Sequence, residues 1–374
     1  MRAGAFRLVV AAFIAAVSCG AATARAANRP AQPAAERKAG ESAQITGKEI
    51  TPQQQLAVER GLAYLAGRQA RNGGYGAGMA YGGGQGGHAG ITGLAGLAFM
   101  AAGNLPSRGK YGENVQKLLE FLLASTQESG LISSDQSHGV MYGHGFALLF
   151  LAEVYGMSPD DQVKEKLQKA VQLTMKTQNK EGGWRYQPWP YDADISVTIT
   201  QIMGLRAARD AGIKVEEQVM VKALEYIKRC QNKDGGFSYM ANQGGGMGGS
   251  GFARTGAGLA SLYYGRIKAS DFAQEIESGL KYMRNFTPGK GGAVDAEGHF
   301  YYGHYYAVQA MFMAGGDYWA NWYPSIRDVL IQRQNKQNGG WSGEAGEDYA
   351  TAMALIILQM PNRYLPVYHG KGIE

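Results

Sequence analysis

Aspartate, histidine, tyrosine and arginine recur in this sequence at positions where they could do chemistry. Asp194 and Asp348 each stand just before a long apolar stretch, and Asp192 lies two residues ahead of Asp194. Neighbouring carboxyl groups held in different surroundings can act as acid and base, or one of them can protonate a bound substrate. Tyr142-Gly143-His144 and Tyr302-Gly303-His304 repeat a phenol and an imidazole 160 residues apart. The tyrosine faces can stabilise a cation, and an imidazole can bond or carry a proton near neutral pH. His88 and Arg254 complete the candidates, with Arg254 the one strong cation, suited to clamping an anion or pairing with an acid. Each chemical reading has a structural counterpart. Aspartate ahead of a helix is a common N-cap, and the histidines can simply bond the nearby backbone.

The elements that position these residues come from an internal repeat. QARNGGY from Gln69, QNKEGGW from Gln178, QNKDGGF from Gln231 and QNKQNGGW from Gln334 match closely; TQESGLI from Thr126 and TPGKGGA from Thr287 are weaker members. Taking the residue after the last glycine as the anchor gives Tyr75, Leu131, Trp184, Phe237, Ala293 and Trp341, at steps of 56, 53, 53, 56 and 48 residues. An amphipathic pattern precedes each signature and a nearly all-apolar stretch follows it, as expected of an outer helix paired with a buried inner one. The Gly-Gly pair stops the first helix. Six such hairpins predict an all-α fold, an (α/α)6 toroid over residues 51–374, with the tail after Pro361 sealing the seam. An open solenoid is the alternative.

Units three apart resemble each other most. Glycine runs begin at Gly82 and Gly244, the Tyr-Gly-His motifs fall in units two and five, and Asp194 and Asp348 fall in units three and six. Opposite placement in a ring would set His144 facing His304 and Asp194 facing Asp348. The inner-helix N-termini would share one rim, favourable to anions. Below it the channel would be lined by Tyr142, Tyr302, Tyr305 and Tyr306.

Composition bounds the rest. Glycine makes up 55 of 374 residues, yet without a three-residue period and with 45% hydrophobic residues, which excludes collagen and wholesale disorder. Residues 1–26 read as a secretory signal: Arg2 and Arg7, an apolar run from Leu8 to Val17, then Ala24-Arg25-Ala26. Ser18-Cys19-Gly20 is a weaker lipoprotein-type site. Residues 27–50 read as an Ala/Pro-rich linker. The expected location is secreted or periplasmic, and peripheral membrane contact is compatible with it. Removing the signal leaves 34 basic against 31 acidic residues, a charge of +3 without any Lys/Arg-rich run, so nothing supports nucleic-acid binding. Cys230 would be the only cysteine remaining, too few for a disulfide within the chain or a thiolate zinc cluster. No metal and no cofactor are expected.

The Q-N-x-x-G-G-W repeats resemble those of the terpenoid cyclase and protein prenyltransferase superfamily, squalene-hopene cyclases in particular, over nearly the whole mature chain. The resemblance implies a toroid that binds an isoprenoid or other apolar ligand. Those cyclases protonate an alkene with the middle acid of Asp-x-Asp-Asp-Thr-Ala. Here the segment reads Asp192-Ala193-Asp194-Ile195-Ser196-Val197, which makes Asp194 the implied acid but replaces its neighbouring acid with Ile195. The zinc site of prenyltransferase β subunits has a candidate histidine in His304 and no matching cysteine. Two other classes remain open: a non-catalytic binding module, and a carbohydrate-active toroid of the polysaccharide lyase or hydrolase kind, which paired acids and tyrosines would also suit. A deep apolar cavity would mark a lipid ligand, an open cleft with exposed aromatics a sugar, and a filled centre a scaffold.

Overall fold

The computed structural model describes residues 45–76, 86–134, 139–241, 248–265, 268, 270–289 and 298–369, all within the unit Lys38–Glu374. The signal reading, most of the linker, most of both glycine runs and Ala293 lie outside the described residues.

Helices alternate outer and inner along the chain: α1 (Pro52–Arg68) with α2 (Ala89–Ala101), α3 (Gly112–Ala124) with α4 (Val140–Met157), α5 (Asp161–Lys176) with α6 (Ile195–Asp210). The second half repeats this with α7 (Glu217–Arg229) and α8 (Phe252–Gly265), α9 (Ala273–Met283) and α10 (Phe300–Ala314), α11 (Gly316–Arg333) and α12 (Glu347–Gln359). The inner helices pack in the cyclic order α2, α4, α6, α8, α10, α12 and back to α2. The fold is an (α/α)6 toroid. Apolar composition assigns the layers: every residue of α2 is buried, whereas α5 buries one stripe (Val163, Leu167, Ala170, Val171, Thr174). α4 is long and apolar enough to cross a membrane, but here it is an inner helix, mostly buried in the ring.

The repeated signature shows how one hairpin docks on the next. The first glycine of each described turn has a positive φ: Gly73, Gly130, Gly182, Gly235 and Gly339. A Cβ at Gly73 would lie 2.2 Å from the Lys117 carbonyl oxygen, and one at Gly182 would lie 2.1 Å from that of Lys222. Each turn therefore sits on the outer helix of the following hairpin, and Gly339 sits on Arg60 of α1, closing the circle. The glutamine ties the same joint. Gln178 Nε2 donates to the carbonyls of Gly182 and Val219, and Gln334 Nε2 to those of Gly339 and Ala57, each bond 2.8 Å. The residue after the turn then anchors the inner helix. The backbone N–H groups of Tyr75, Trp184, Phe237 and Trp341 donate to the hydroxyls of Thr92, Thr198, Thr255 and Thr351, at 3.0 to 3.1 Å. In the second unit this place belongs to Ile132, not to Leu131, since Gly130 takes the position of the first glycine.

The tail contributes to the seam, where Asn362 Nδ2 donates to the Ala101 carbonyl at the end of α2 at 3.2 Å, but it does not close it alone. α12 itself packs on α2 and α1 there. Across the seam, Asp348 accepts from Arg68 Nε at 2.8 Å and from the Gly76 N–H at 2.9 Å. Asp348→Ala should cost about 1–3 kcal/mol, chiefly because the Gly76 N–H is left buried and unpaired. The half-exposed Arg68 adds little. Urea unfolding is the measurement, and a loss under about 0.5 kcal/mol would mean that the seam does not depend on this carboxylate. Farther on, the tail packs its last turn (Pro366–His369) on α6. The Val367 N–H donates to Glu153 at 3.2 Å, and the Tyr368 hydroxyl meets that of Tyr305 at 3.3 Å. Burial pushes the Glu153 carboxyl up to about 8.

Candidate functional site

Asp194 caps α6 from a completely buried position. Its Oδ1 accepts from the N–H groups of Ser196 (2.8 Å) and Val197 (2.9 Å) and from Ser196 Oγ (2.5 Å). Its Oδ2 accepts no hydrogen bond among the described residues and lies 3.8 Å from Arg185 Nε. Burial raises the Asp194 pKa, while Ser196, the Val197 N–H and Arg185 oppose the rise. The same guanidinium reaches half-exposed Asp192 at 3.2 Å and lies over the rings of Tyr186 (4.8 Å) and Tyr239 (5.7 Å). One arginine thus holds both carboxylates, so the cluster keeps a single net negative charge when both are ionised.

Tyr142 and Tyr302 come from helices on opposite sides of the ring and both reach the start of α6. The Tyr142 hydroxyl bonds Ser196 Oγ, and the Tyr302 hydroxyl donates to the Ser196 carbonyl at 3.4 Å. Because Ser196 gives its own proton to Asp194, Tyr142 is the donor in that pair. A hydrogen-bonded chain, Tyr142–Ser196–Asp194, therefore links a half-buried phenol to a buried carboxyl and offers a path for a proton. Tyr186 stacks on Tyr142 with centroids 5.9 Å apart, and its hydroxyl meets that of Tyr239.

Below this level tyrosines fill the ring. Tyr302, Tyr305 and Tyr306 pack edge to face, with centroids 4.8 Å apart in each neighbouring pair. The fully buried Tyr306 hydroxyl has no partner among the described residues. Burial, with the hydroxyls of Tyr305, Tyr349, Tyr142 and Tyr264 around it, holds its pKa well above the usual value.

The two motif histidines do not face each other across the channel. His144 is fully buried and turned outward: its Nδ1 accepts from the Ile132 N–H at 3.1 Å, and its Nε2 bonds Thr174 Oγ1 of outer helix α5 at 2.9 Å. It occupies the place that threonine takes in four other units. His304 also points outward, among Phe252 (4.9 Å), Phe300 (4.4 Å) and Trp322 of α11 (6.0 Å), and neither ring nitrogen has a partner among the described residues. Helical geometry explains the motif. Residues two apart differ by about 200° around the axis, so with tyrosine inward the histidine must point out. The glycine between them allows close helix approach: a Cβ on Gly303 would meet the Phe252 ring at 2.6 Å.

Burial lowers the pKa of His144 to about 4 and of His304 to about 3. Both are depressed below the unfolded value, so each contributes stability that is present above about pH 6.5 and lost as pH falls through its folded pKa. The two histidines together outweigh the opposing gain from Glu153, whose raised carboxyl favours the fold as pH falls from about 8 to 4.5, so the melting temperature should drop between about pH 6.5 and 4, and His144→Gln should flatten or reverse that slope. An unchanged slope would sink the assignment.

Three candidates hold local roles. His88 caps α2, its Nδ1 accepting from Gly90 N at 3.1 Å. Arg254 lies half-buried in the first turn of α8, folded so closely over Gly251 that a Cβ there would sit 2.7 Å from Nη2. Asp348 serves the seam. Arg185, Ser196, Tyr186 and Tyr239 belong to the site without having been singled out from sequence. Arg185 and Tyr186 directly follow the Gly-Gly-Trp signature, and Ser196 lies within the quoted Asp-Ala-Asp-Ile-Ser segment. Among the described residues no group of three or more His, Cys, Asp or Glu side chains could hold a metal ion. Cys230 is free and buried, its thiol pushed up to about 12 by burial.

The prenyltransferase alpha-alpha toroid domain family matches residues 134–348, more than half of the chain, and the protein belongs to that family. No curated protein matches the chain in sequence. Among solved structures, the cellobiose 2-epimerase from Spirochaeta thermophila is similar at TM-score 0.61 and 14% identity, over 83% of this chain and 97% of its own. The cellobiose 2-epimerase from Bacillus thermoamylovorans is similar at TM-score 0.61 and 12% identity, over 82% and 98%. An inactive variant of the α-1,6-mannanase GH76A of Salegentibacter, in complex with α-1,6-mannotriose, is similar at 0.58 and 10%, over 82% and 98%. At these identities the likeness is one of fold.

Proposed function

We propose that this toroid is a carbohydrate-active protein whose saccharide ligand lies across the mouth formed at the starts of α4, α6 and α10. One observation carries the reading. Half-buried tyrosines and an arginine-bridged pair of acids stand at the mouth, while the channel beneath is filled by Tyr305, Tyr306 and their neighbours. Rings and charged groups side by side suit a sugar, which has apolar C–H faces and polar edges. An isoprenoid needs a deep apolar void; the filled centre by itself fits a scaffold, and what favours a sugar over a scaffold is the set of rings and ionisable groups gathered at the mouth. The mannanase and epimerases that share the fold act on sugars by their names, which supports the same class.

Asp194 is the candidate acid: once protonated it would release its proton to the mouth through Ser196 and Tyr142, with each hydroxyl passing its own proton outward and so reversing the resting donor order of that chain. A place outside the cytoplasm is part of the proposal and rests on residues 1–26. The family match favours a second reading, an isoprenoid ligand with acid-initiated cyclisation through Asp194; the packed channel weighs against it. Calorimetric titration of the protein with manno- and cello-oligosaccharides, beside geranylgeraniol in detergent, separates the two. Saccharide binding that Arg185→Ala weakens at least tenfold is the expected result. Geranylgeraniol binding without saccharide binding would overturn the proposal.

A further inference from the structure

The loop from Trp184 to Asp194 carries Gln187-Pro188-Trp189-Pro190-Tyr191 at its tip. Trp189 is 59% exposed and Tyr191 81% exposed; only Leu56 and Tyr364 join them as exposed large hydrophobic residues among those described. The display is held in place. Prolines restrict the backbone ahead of both rings. Trp189 N donates to the Gln187 carbonyl at 2.7 Å and Tyr191 N to the Trp189 carbonyl at 2.9 Å, forming two successive tight turns. The Arg185–Asp192 ion pair clasps the feet of the loop, and Arg185 is in turn seated over Tyr186 and Tyr239. Two large aromatics fixed in solvent beside a polar cluster mark an interaction surface, and their fixed backbone lowers the ordering cost of binding.

We propose that Trp189 and Tyr191 form an outer subsite that stacks on a further sugar unit of a ligand seated in the mouth, so that the ligand is a saccharide chain rather than a single sugar. The inference rests on the reading of the mouth given above. Its chemistry is that of an open platform: the C–H face of a pyranose lies on the ring while its hydroxyls stay in water, so the subsite needs no enclosing pocket. A bilayer surface is the competing occupant. Arg185 and Asp192 at the foot of the loop neutralise each other, so the tip has no surplus positive charge to hold anionic lipid.

The test measures affinity of the full chain for manno- and cello-oligosaccharides from the monosaccharide to the hexasaccharide, by calorimetry. Affinity should rise with length. Trp189→Ala and Tyr191→Ala should remove that rise, weakening the hexasaccharide about tenfold while leaving short ligands unchanged; Trp189→Phe should restore it. If the variants bind long chains as the wild type does, or lose affinity equally at every length, the subsite is wrong and the mouth reading stands. If no saccharide binds, both fall. Phosphatidylglycerol vesicles form a parallel arm, and a Trp189-dependent fluorescence blue shift on vesicles without saccharide binding would assign the platform to lipid and overturn the proposal.

Discussion

Asp194→Asn will leave the toroid folded, whereas Asp194→Ala will destabilise it by about 3–5 kcal/mol. The difference follows from what Oδ1 does. It accepts from two backbone N–H groups and one hydroxyl at the start of a helix that is buried on all sides. Asparagine caps helices about as well as aspartate, and its carbonyl oxygen can take all three bonds. Its amide then replaces Oδ2, the oxygen that accepts no hydrogen bond among the described residues. Alanine leaves the donors without an acceptor where water does not reach. The expected loss for asparagine is under about 1.5 kcal/mol, part of it the lost attraction to Arg185 at 3.8 Å. The same pair separates capping from chemistry. If Asp194 supplies a proton, asparagine keeps saccharide affinity within a few-fold and abolishes turnover. Urea denaturation of the two variants, with product analysis on the bound oligosaccharide, reads both effects. Equal destabilisation would refute the capping argument, and turnover by the asparagine variant would remove Asp194 as the acid.

Gly182→Ala will cost at least about 3 kcal/mol, against about 1 kcal/mol for Gly212→Ala. Both glycines have a positive φ, +100° at Gly182 and +86° at Gly212. A Cβ at Gly212 would meet nothing within 4 Å, so alanine there pays only the left-handed backbone strain. At Gly182 the Cβ would lie 2.1 Å from the carbonyl oxygen of Lys222 and 2.6 Å from its carbon. That obstacle is the backbone of α7, which cannot move aside as a side chain can. The third hairpin must then separate from the fourth, and the Gln178 bonds to Gly182 and Val219 go with it. Thermal and urea unfolding of the two variants give the comparison. Similar losses would show that φ alone, not docking onto α7, explains the recurrent glycine.

Much of this architecture is legible in the order of residues because it is local and repeated. The expectation that Gly-Gly stops the outer helix fails, since those helices end at Arg68, Lys176, Arg229 and Arg333, five or six residues earlier, on non-glycine caps. The glycine is needed instead where the turn meets the next outer helix, and its recurrence still marks the hairpins. A helix that is apolar on every side can only be an inner one. Asp194 reads as an N-cap from its position ahead of Ile195, and it is one. The tyrosine and histidine of the Tyr-Gly-His motifs are visible too, but not their directions. An apolar helix has no polar stripe to set its rotation, so nothing along the chain says which side faces the axis. The expectation that His144 faces the channel therefore fails, because it replaces a threonine in the joint to α5. The one-residue slip at Ile132 has the same origin, since the second unit lacks the double glycine that marks the register.

Helix order, the number of hairpins and the places where turns must be glycine can be read along the chain, because they depend on backbone preferences within a few residues. Which groups meet depends on how the ring closes. Arg185 bridges Asp192 and Asp194, and Tyr142 and Tyr302 converge on Ser196 from 160 residues apart. Ring closure sets those meetings: it brings opposite helices near enough for tyrosines to cross, and fills the centre that an apolar composition alone would have left for a ligand.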